Sequence, residues 1–182
     1  MRLRKIAPVF LFLSLFFSTP ASAASEIQTV NAIQSSPRHA SALDGLDETQ
    51  KKEATCLALN LYHEVRGSTK ADIMAVGFVT RNRLKATRNG PTTFCEAIWE
   101  RSRAGPQYSW TIRPTQSLLP REIDSWNKMV QYAVQIMDNS RADTTGGANS
   151  FYSKKLGIPR WTRKATSRQT IGAHVYVRIP GR

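Results

Sequence analysis

The chain has 182 residues, 41% of them hydrophobic, and carries 26 Lys and Arg against 13 Asp and Glu for a formal net charge of +13. That length suits one domain of ordinary size with a real core. The basic balance points to an anionic partner (cell wall, acidic polysaccharide, lipid headgroups or nucleic acid) without choosing among them. Two cysteines and three histidines, His39, His63 and His174, are too few for a zinc-binding spacing.

The chain opens on Arg2, Arg4 and Lys5, followed by an apolar run from Ile6 to Phe17 and a small-x-small site at Ala21-Ser22-Ala23. This order is that of a secretory signal peptide, 1–23, cut after Ala23. The apolar run is short of the roughly 20 residues a membrane span needs. No stable membrane insertion is therefore expected after cleavage, and a monomer is expected. Export also argues against nucleic acid as the partner. Residues 24–46 are rich in Ser, Ala and polar residues without sustained periodicity. They read as a flexible leader, with the folded domain over 47–182.

Asp47 with Gln50 forms a capping pair at a helix start. Ala54, Leu57, Ala58, Leu61 and Val65 then repeat at helical spacing, and Gly67 stands where a helix ends. Ser68 can open a second helix to about Leu84, apolar almost all round from Ile73 to Val79, as a buried helix is. Gly77 within it suggests close approach of another backbone. After a turn at Asn89-Gly90-Pro91, Thr92 or Thr93 opens a short helix. Residues 102–120, with Gly105, Pro106, Pro114 and Pro120, read as a long irregular segment of the kind that carries function. Glu122 to Met137 is a further helix with Trp126, Met129, Val130, Ala133 and Met137 on one face. Ala148 to Ser153 and His174 to Ile179 read as strands. The fold class is α+β: mostly helical, with a small antiparallel β element near the C-terminus.

Cys56 and Cys95 form an even pair, which in an oxidising compartment makes one disulfide. With Leu57 at zero on its helix, Leu61 lies near 40° and Glu64 near −20°, at about 100° per residue. Glu64 thus sits at the edge of the apolar stripe. Partial desolvation there favours the protonated acid, the form a general acid needs. A structural alternative is a glutamate bent to solvent or paired with Arg66 or Lys70. Glu53, Glu96, Glu100, Asp72 and Asp124 read as solvated helix faces, and Asp143 in its glycine-rich loop is the best second carboxylate if one exists. Tyr108, Trp110, Phe151, Tyr152 and Trp161 lie outside the long helices, where aromatic faces can stack on sugar rings. Gln107 and Asn149 could bond the hydroxyl and acetamido groups. Core packing is the alternative for each aromatic.

The segment Cys56-Leu57-Ala58-Leu59-Asn60-Leu61-Tyr62-His63-Glu64-Val65-Arg66-Gly67 resembles the opening motif of the SleB/CwlJ-type cell-wall hydrolases, the family of spore cortex-lytic enzymes. Further likenesses follow in the family's order. They are Ala75-Val76-Gly77-Phe78-Val79 with Asn82-Arg83, Phe94-Cys95, Gln107-Tyr108-Ser109-Trp110, Asp143 through Gly147-Ala148, Phe151-Tyr152, Pro159 with Trp161, and Ile171-Gly172-Ala173-His174. The likeness covers roughly residues 48–178. Val65 and Ser68 stand where the family usually has Ala and a second Glu, which weakens a two-carboxylate scheme more than it weakens Glu64. The resemblance implies a lysozyme-like or transglycosylase-like domain acting on peptidoglycan glycan strands, in the periplasm or cell wall, with Glu64 as the catalytic acid. It implies a substrate site drawn from Gln107, Ser109, Trp110, Asn149, Phe151, Tyr152, Trp161 and His174, and no metal or cofactor. The competing readings are an amidase or peptidase acting on the stem peptides, and a non-catalytic wall-binding protein.

Overall fold

A computed structural model describes residues 21–84, 86, 90–102 and 105–181. Its helices are α1 (Ala21–Gln34), α2 (Pro37–Ala40), α3 (Glu48–Val65), α4 (Lys70–Arg83), α5 (Phe94–Trp99), α6 (Thr115–Leu118) and α7 (Ile123–Met137). The strands are β1 (Arg101–Ser102), β2 (Gly105–Pro106), β3 (Ser150–Ser153), β4 (Ser167–Ile171) and β5 (His174–Arg178). The class is α+β, as expected.

The axis of the fold is α3. Its start is the expected capping box: Asp47 Oδ1 accepts the Gln50 N–H at 2.8 Å, and the Gln50 side chain accepts the Asp47 N–H at 3.1 Å. Every residue from Ala54 to Tyr62 is buried, because α7, α5 and α4 pack around it. The stripe of Trp126, Met129, Val130, Ala133 and Ile136 on α7 covers one side. Thr69, not Ser68, caps α4, accepting the Asp72 N–H. At Gly77 a Cβ would lie 2.2 Å from Ile136 Cδ1 and 3.6 Å from Leu61 Cδ2. The close approach there is by side chains of α7 and α3, not by another backbone.

Cys56 and Cys95 are disulfide-bonded, which joins α3 to α5 across 39 positions of sequence. Thr93 and Glu96 cap α5 as a box. Glu53, expected on a solvated face, is half-buried and accepts the N–H groups of Phe94 at 2.6 Å and Cys95 at 3.4 Å. It reinforces the N-terminus of α5, where free amides and the helix dipole favour a carboxylate.

The segment 24–46 is not a flexible leader. Helix α1 lays Thr29, Val30 and Ile33 into the core, and Leu43 follows with 1% exposure. Trp126 Nε1 donates to the His39 carbonyl at 3.0 Å, and His39 Nε2 bonds the Pro120 carbonyl at 2.8 Å. Two large apolar residues among small ones made too narrow a stripe to register as periodicity. The folded unit therefore begins before Asp47. The proposed signal peptide lies, over residues 1–20, outside the described residues, as does part of the turn expected at 89–91.

At the C-terminal end β5 is central to an antiparallel sheet ordered β3-β5-β4, with Phe151 opposite Tyr176 and Ser153 opposite His174. The sheet packs on α4. Strand β4, Ser-Arg-Gln-Thr-Ile, had no apolar alternation to announce it, because only Ile171 is partly covered. The segment 102–120 is less irregular than expected: it holds β2, a 3₁₀ turn at Ser109–Ile112 and α6.

Candidate active site

Glu64 stands in the last turn of α3, half-buried. It lines a cleft of about 460 Å³ together with Gln107, Tyr108 and Ser109 from one stretch of the chain and Phe151, Tyr152 and Trp161 from another. Burial pushes the Glu64 carboxyl up, and the nearby His174 and Arg113 pull it part of the way back. Glu64 is the carboxylate lining this cleft among the described residues. Trp161 is 42% exposed and meets Tyr152 edge to face at 6.0 Å, a partly open aromatic surface at the cleft wall.

The cleft sits between two braced walls. On one side Tyr108 is held by its hydroxyl, 3.1 Å from Thr80 Oγ1, and Thr80 is bonded in turn by Asn60 at 3.3 Å. On the other, β5 carries His174 from the sheet toward Glu64. His174 Nδ1 lies 3.0 Å from both carboxylate oxygens of Asp72 on α4. Asp72 is 1% exposed and also accepts the Tyr176 hydroxyl and the Ala173 N–H. Its expected place on a solvated face is overturned: the sheet closes over it. Phe151 meets the His174 ring edge to face at 5.4 Å.

Of the expected substrate residues, Gln107, Ser109, Phe151, Tyr152 and Trp161 share the cleft with Glu64. Trp110 does not. It is 2% exposed, donates from Nε1 to Asn60 Oδ1 at 3.1 Å and stacks on His63 at 4.7 Å. Its indole fills the core because the 3₁₀ turn at 109–112 points Trp110 and Thr111 inward and leaves Ser109 and Ile112 outside. Asn149 does not either. Its amide clasps the backbone of Ile179, accepting N–H at 2.9 Å and donating to C=O at 2.8 Å, which pins the chain end beside β3. His174 touches the site as the partner of Asp72 and through its field on Glu64.

Asp143 is spent elsewhere. It accepts from the Thr145 N–H and hydroxyl, the Gly147 N–H and the Asn82 amide. Burial pushes its carboxyl up, but the hydrogen bonds from Thr145, Asn82 and Gly147 outweigh that and hold it below the usual range. It is a loop clasp and does not line the cleft. Asn82 and Arg83 are likewise braces: Asn82 also bonds the Ala148 carbonyl at 3.0 Å, and buried Arg83 bonds the Ala97 carbonyl at 3.1 Å and pairs with Glu100. Among the described residues the His, Cys, Asp and Glu side chains close enough to share an ion are Glu26, Cys56 and Cys95. Both sulfurs there are taken by the disulfide.

Residues 67–177 match the family described as Cell Wall Hydrolase, a stretch covering well over half of the chain. The chain belongs to the SleB/CwlJ-type cell-wall hydrolases. No curated protein and no solved structure matches it. The matched stretch begins just after Glu64 and contains the rest of the cleft. Membership makes this an enzyme of cell-wall hydrolysis, with peptidoglycan as the substrate in general terms. The family and the disulfide together mark an extracytoplasmic protein. No helix among the described residues is long and apolar enough to cross a membrane.

Asp72 was missed by sequence reasoning, and no signal in its neighbourhood marked it. A carboxylate in the first turn of a helix reads as a dipole partner until the remote strand that buries it is in place.

Proposed function

We propose that this hydrolase is a peptidoglycan glycosidase, cutting the glycan strand after N-acetylmuramic acid as a lytic transglycosylase or muramidase. The observation that carries this is a half-buried carboxyl, raised by burial, in a cleft lined by aromatic rings. Glu64 in its protonated form donates to the glycosidic oxygen as the bond from that oxygen to C1 of the muramic acid breaks. The resulting carboxylate then accepts a proton from the nucleophile. If the nucleophile is the sugar's own 6-hydroxyl, its oxygen closes on C1 and a 1,6-anhydro ring forms. If it is water, a reducing end results. Most glycosidases use a pair of carboxylates. A site whose lining, among the described residues, offers Glu64 as its one carboxylate supports the one-carboxylate, ring-closing route.

Phe151, Tyr152 and Trp161 would stack on sugar rings, with Gln107 and Ser109 bonding polar substituents. In this reading Asp72 is a positioning residue: its carboxylate keeps a proton on His174 Nδ1 and fixes the imidazole beside Glu64. The enzyme would reach the periplasm or cell wall by cleavage after Ala23 and act there as a monomer.

The test is incubation of the purified form beginning at Ala24 with peptidoglycan, followed by mass spectrometry of the products. The expected products are muropeptides with anhydro-muramyl ends, or reducing muramic acid ends for hydrolysis, and none of either from Glu64→Gln. New amino termini on stem peptides with intact glycan strands would replace this reading with an amidase or peptidase.

A further inference from the structure

Residues 144–181 carry seven Lys and Arg (Lys154, Lys155, Arg160, Arg163, Lys164, Arg168 and Arg178) and no Asp or Glu. Five of the seven fall in the connection between β3 and β4, interleaved with Leu156, Ile158 and Trp161. Leu156 and Ile158 are each 77% exposed, above every other large hydrophobic side chain described as exposed. Among the described residues, Lys154, Lys155, Arg160, Arg163 and Lys164 enter no ion pair.

This connection is held in shape. Ser153 Oγ accepts the Lys155 N–H, and the Lys154 N–H donates to the Ala173 carbonyl at 3.1 Å. Gly157 turns the chain at φ +67°, which L side chains resist. Thr162 is fully buried, and Arg168 donates to its carbonyl at 2.6 Å. The two aliphatic side chains are therefore presented to solvent by a braced loop.

We propose that this loop, residues 154–164, is a docking surface for an anionic phospholipid bilayer. Branched aliphatic side chains interleaved in sequence with cations that enter no ion pair suit that boundary: the cations meet lipid phosphates while Leu156 and Ile158 enter the headgroup region. Charge alone would suffice for an acidic polysaccharide. Ile158, outside the cleft lining, offers a sugar neither a flat face to stack on nor a hydrogen bond, so the polymer leaves it unexplained. Docking of this kind is peripheral and requires no spanning helix. Because Leu156, Pro159 and Trp161 also line the Glu64 cleft, the docked loop holds that cleft at a fixed height beside the bilayer. The proposal does not depend on which peptidoglycan bond is cut.

Sedimentation with vesicles tests it, using the form beginning at Ala24. The protein is expected to pellet with equimolar phosphatidylglycerol and phosphatidylcholine, and about tenfold more weakly with phosphatidylcholine alone. L156E/I158E is expected to lose about tenfold in binding to the anionic vesicles while keeping its circular dichroism spectrum. The single I158S, at a residue outside the cleft lining, should lose a smaller part and covers the case in which the double variant does not fold. Three results would overturn the proposal: no binding of the wild type to anionic vesicles, binding of the variants equal to that of the wild type, or binding that vanishes in about 0.5 M salt, where the Debye length is only a few ångströms, and is equal for wild type and variants at low salt. Dependence on Leu156 and Ile158 for binding to insoluble peptidoglycan, without vesicle binding, would assign the loop to the wall instead.

Discussion

His174 and Asp72 lie 102 positions apart, yet the imidazole Nδ1 sits 3.0 Å from each oxygen of the buried carboxylate. The turn that delivers His174 is pressed onto that carboxylate so closely that a Cβ on Gly172, at φ +55°, would fall 2.8 Å from Asp72 Cγ. Tyr176 donates to the same group, and burial, with Asp72 beside it, pushes the Tyr176 hydroxyl far above its ordinary range. One acid from α4 thus fastens the sheet to the helices and holds the imidazole whose field acts on Glu64.

Replacing His174 by Gln removes a cationic influence that lowers the Glu64 carboxyl, leaving burial opposed by Arg113 alone. The Glu64 carboxyl then rises further. Activity that requires protonated Glu64 falls as pH climbs through that value, so its alkaline limb should move to higher pH in H174Q. Initial rates of muropeptide release across pH would show this. A limb that stays in place, or moves down, removes His174 from the electrostatics of Glu64.

Asp72→Asn keeps the shape but loses the charge, and an amide N–H₂ then competes with the Nδ1 proton of His174. Unfolding in urea should show a loss of about 1–3 kcal/mol, the usual result of leaving buried polar groups poorly matched. Turnover should fall more than substrate affinity, because the imidazole is misplaced while the aromatic walls remain. Unchanged stability and unchanged turnover together would make the carboxylate dispensable.

Glu64→Gln should stabilise the protein at neutral pH while abolishing activity. The folded state raises the Glu64 carboxyl above its ordinary value of 4.5, so the neutral form is the one the fold prefers. The wild type keeps that advantage below about 4.5 and loses it as pH rises through the folded-state value. Melting curves of the two proteins should coincide at low pH. At neutral pH E64Q should melt higher, by about 2–4 °C for each kcal/mol recovered. A lower melting point there would mean the carboxylate is solvated in the fold.

Reduction of Cys56–Cys95 should cost about 4 kcal/mol, from a closed loop of roughly 40 residues in the chain-entropy description. Melting with and without reductant measures it, and thiol labelling of the unreduced, denatured protein should find neither cysteine reactive.

Gly77→Ala should destabilise by about 1–3 kcal/mol, since the new methyl meets Ile136 Cδ1 at 2.2 Å. Ile136→Val deletes that atom. In the G77A/I136V double variant the combined loss should be smaller than the sum of the single losses, and simple additivity would mean the two positions do not press on each other.

What was legible in the sequence was local. The capping pair Asp47–Gln50, the helix opening at Thr92 or Thr93, the buried run of α4 and the stripe on α7 depend on neighbours a few positions away, and each is in place. Glu64 was placed at the edge of a stripe, and it is half-buried. The failures are residues whose surroundings arrive from far along the chain. Asp72 and Glu53 were assigned to water because β5 and α5, which cover them, do not show in their own helices. Trp110 and Asn149 were assigned to substrate because a loop aromatic or amide does not reveal which way its backbone turns. α1 was read as a leader because its two buried large apolar residues acquire their meaning from the core they enter.

The cleft is assembled from separate stretches of the sequence, with its acid at position 64 and much of its aromatic lining at 151–161. A chain made from its N-terminus would present the acid early and the aromatic lining late. A product truncated before β3 would hold the acid with half a binding surface. The two parts of the cleft therefore come together only once β3 and the connection after it are present.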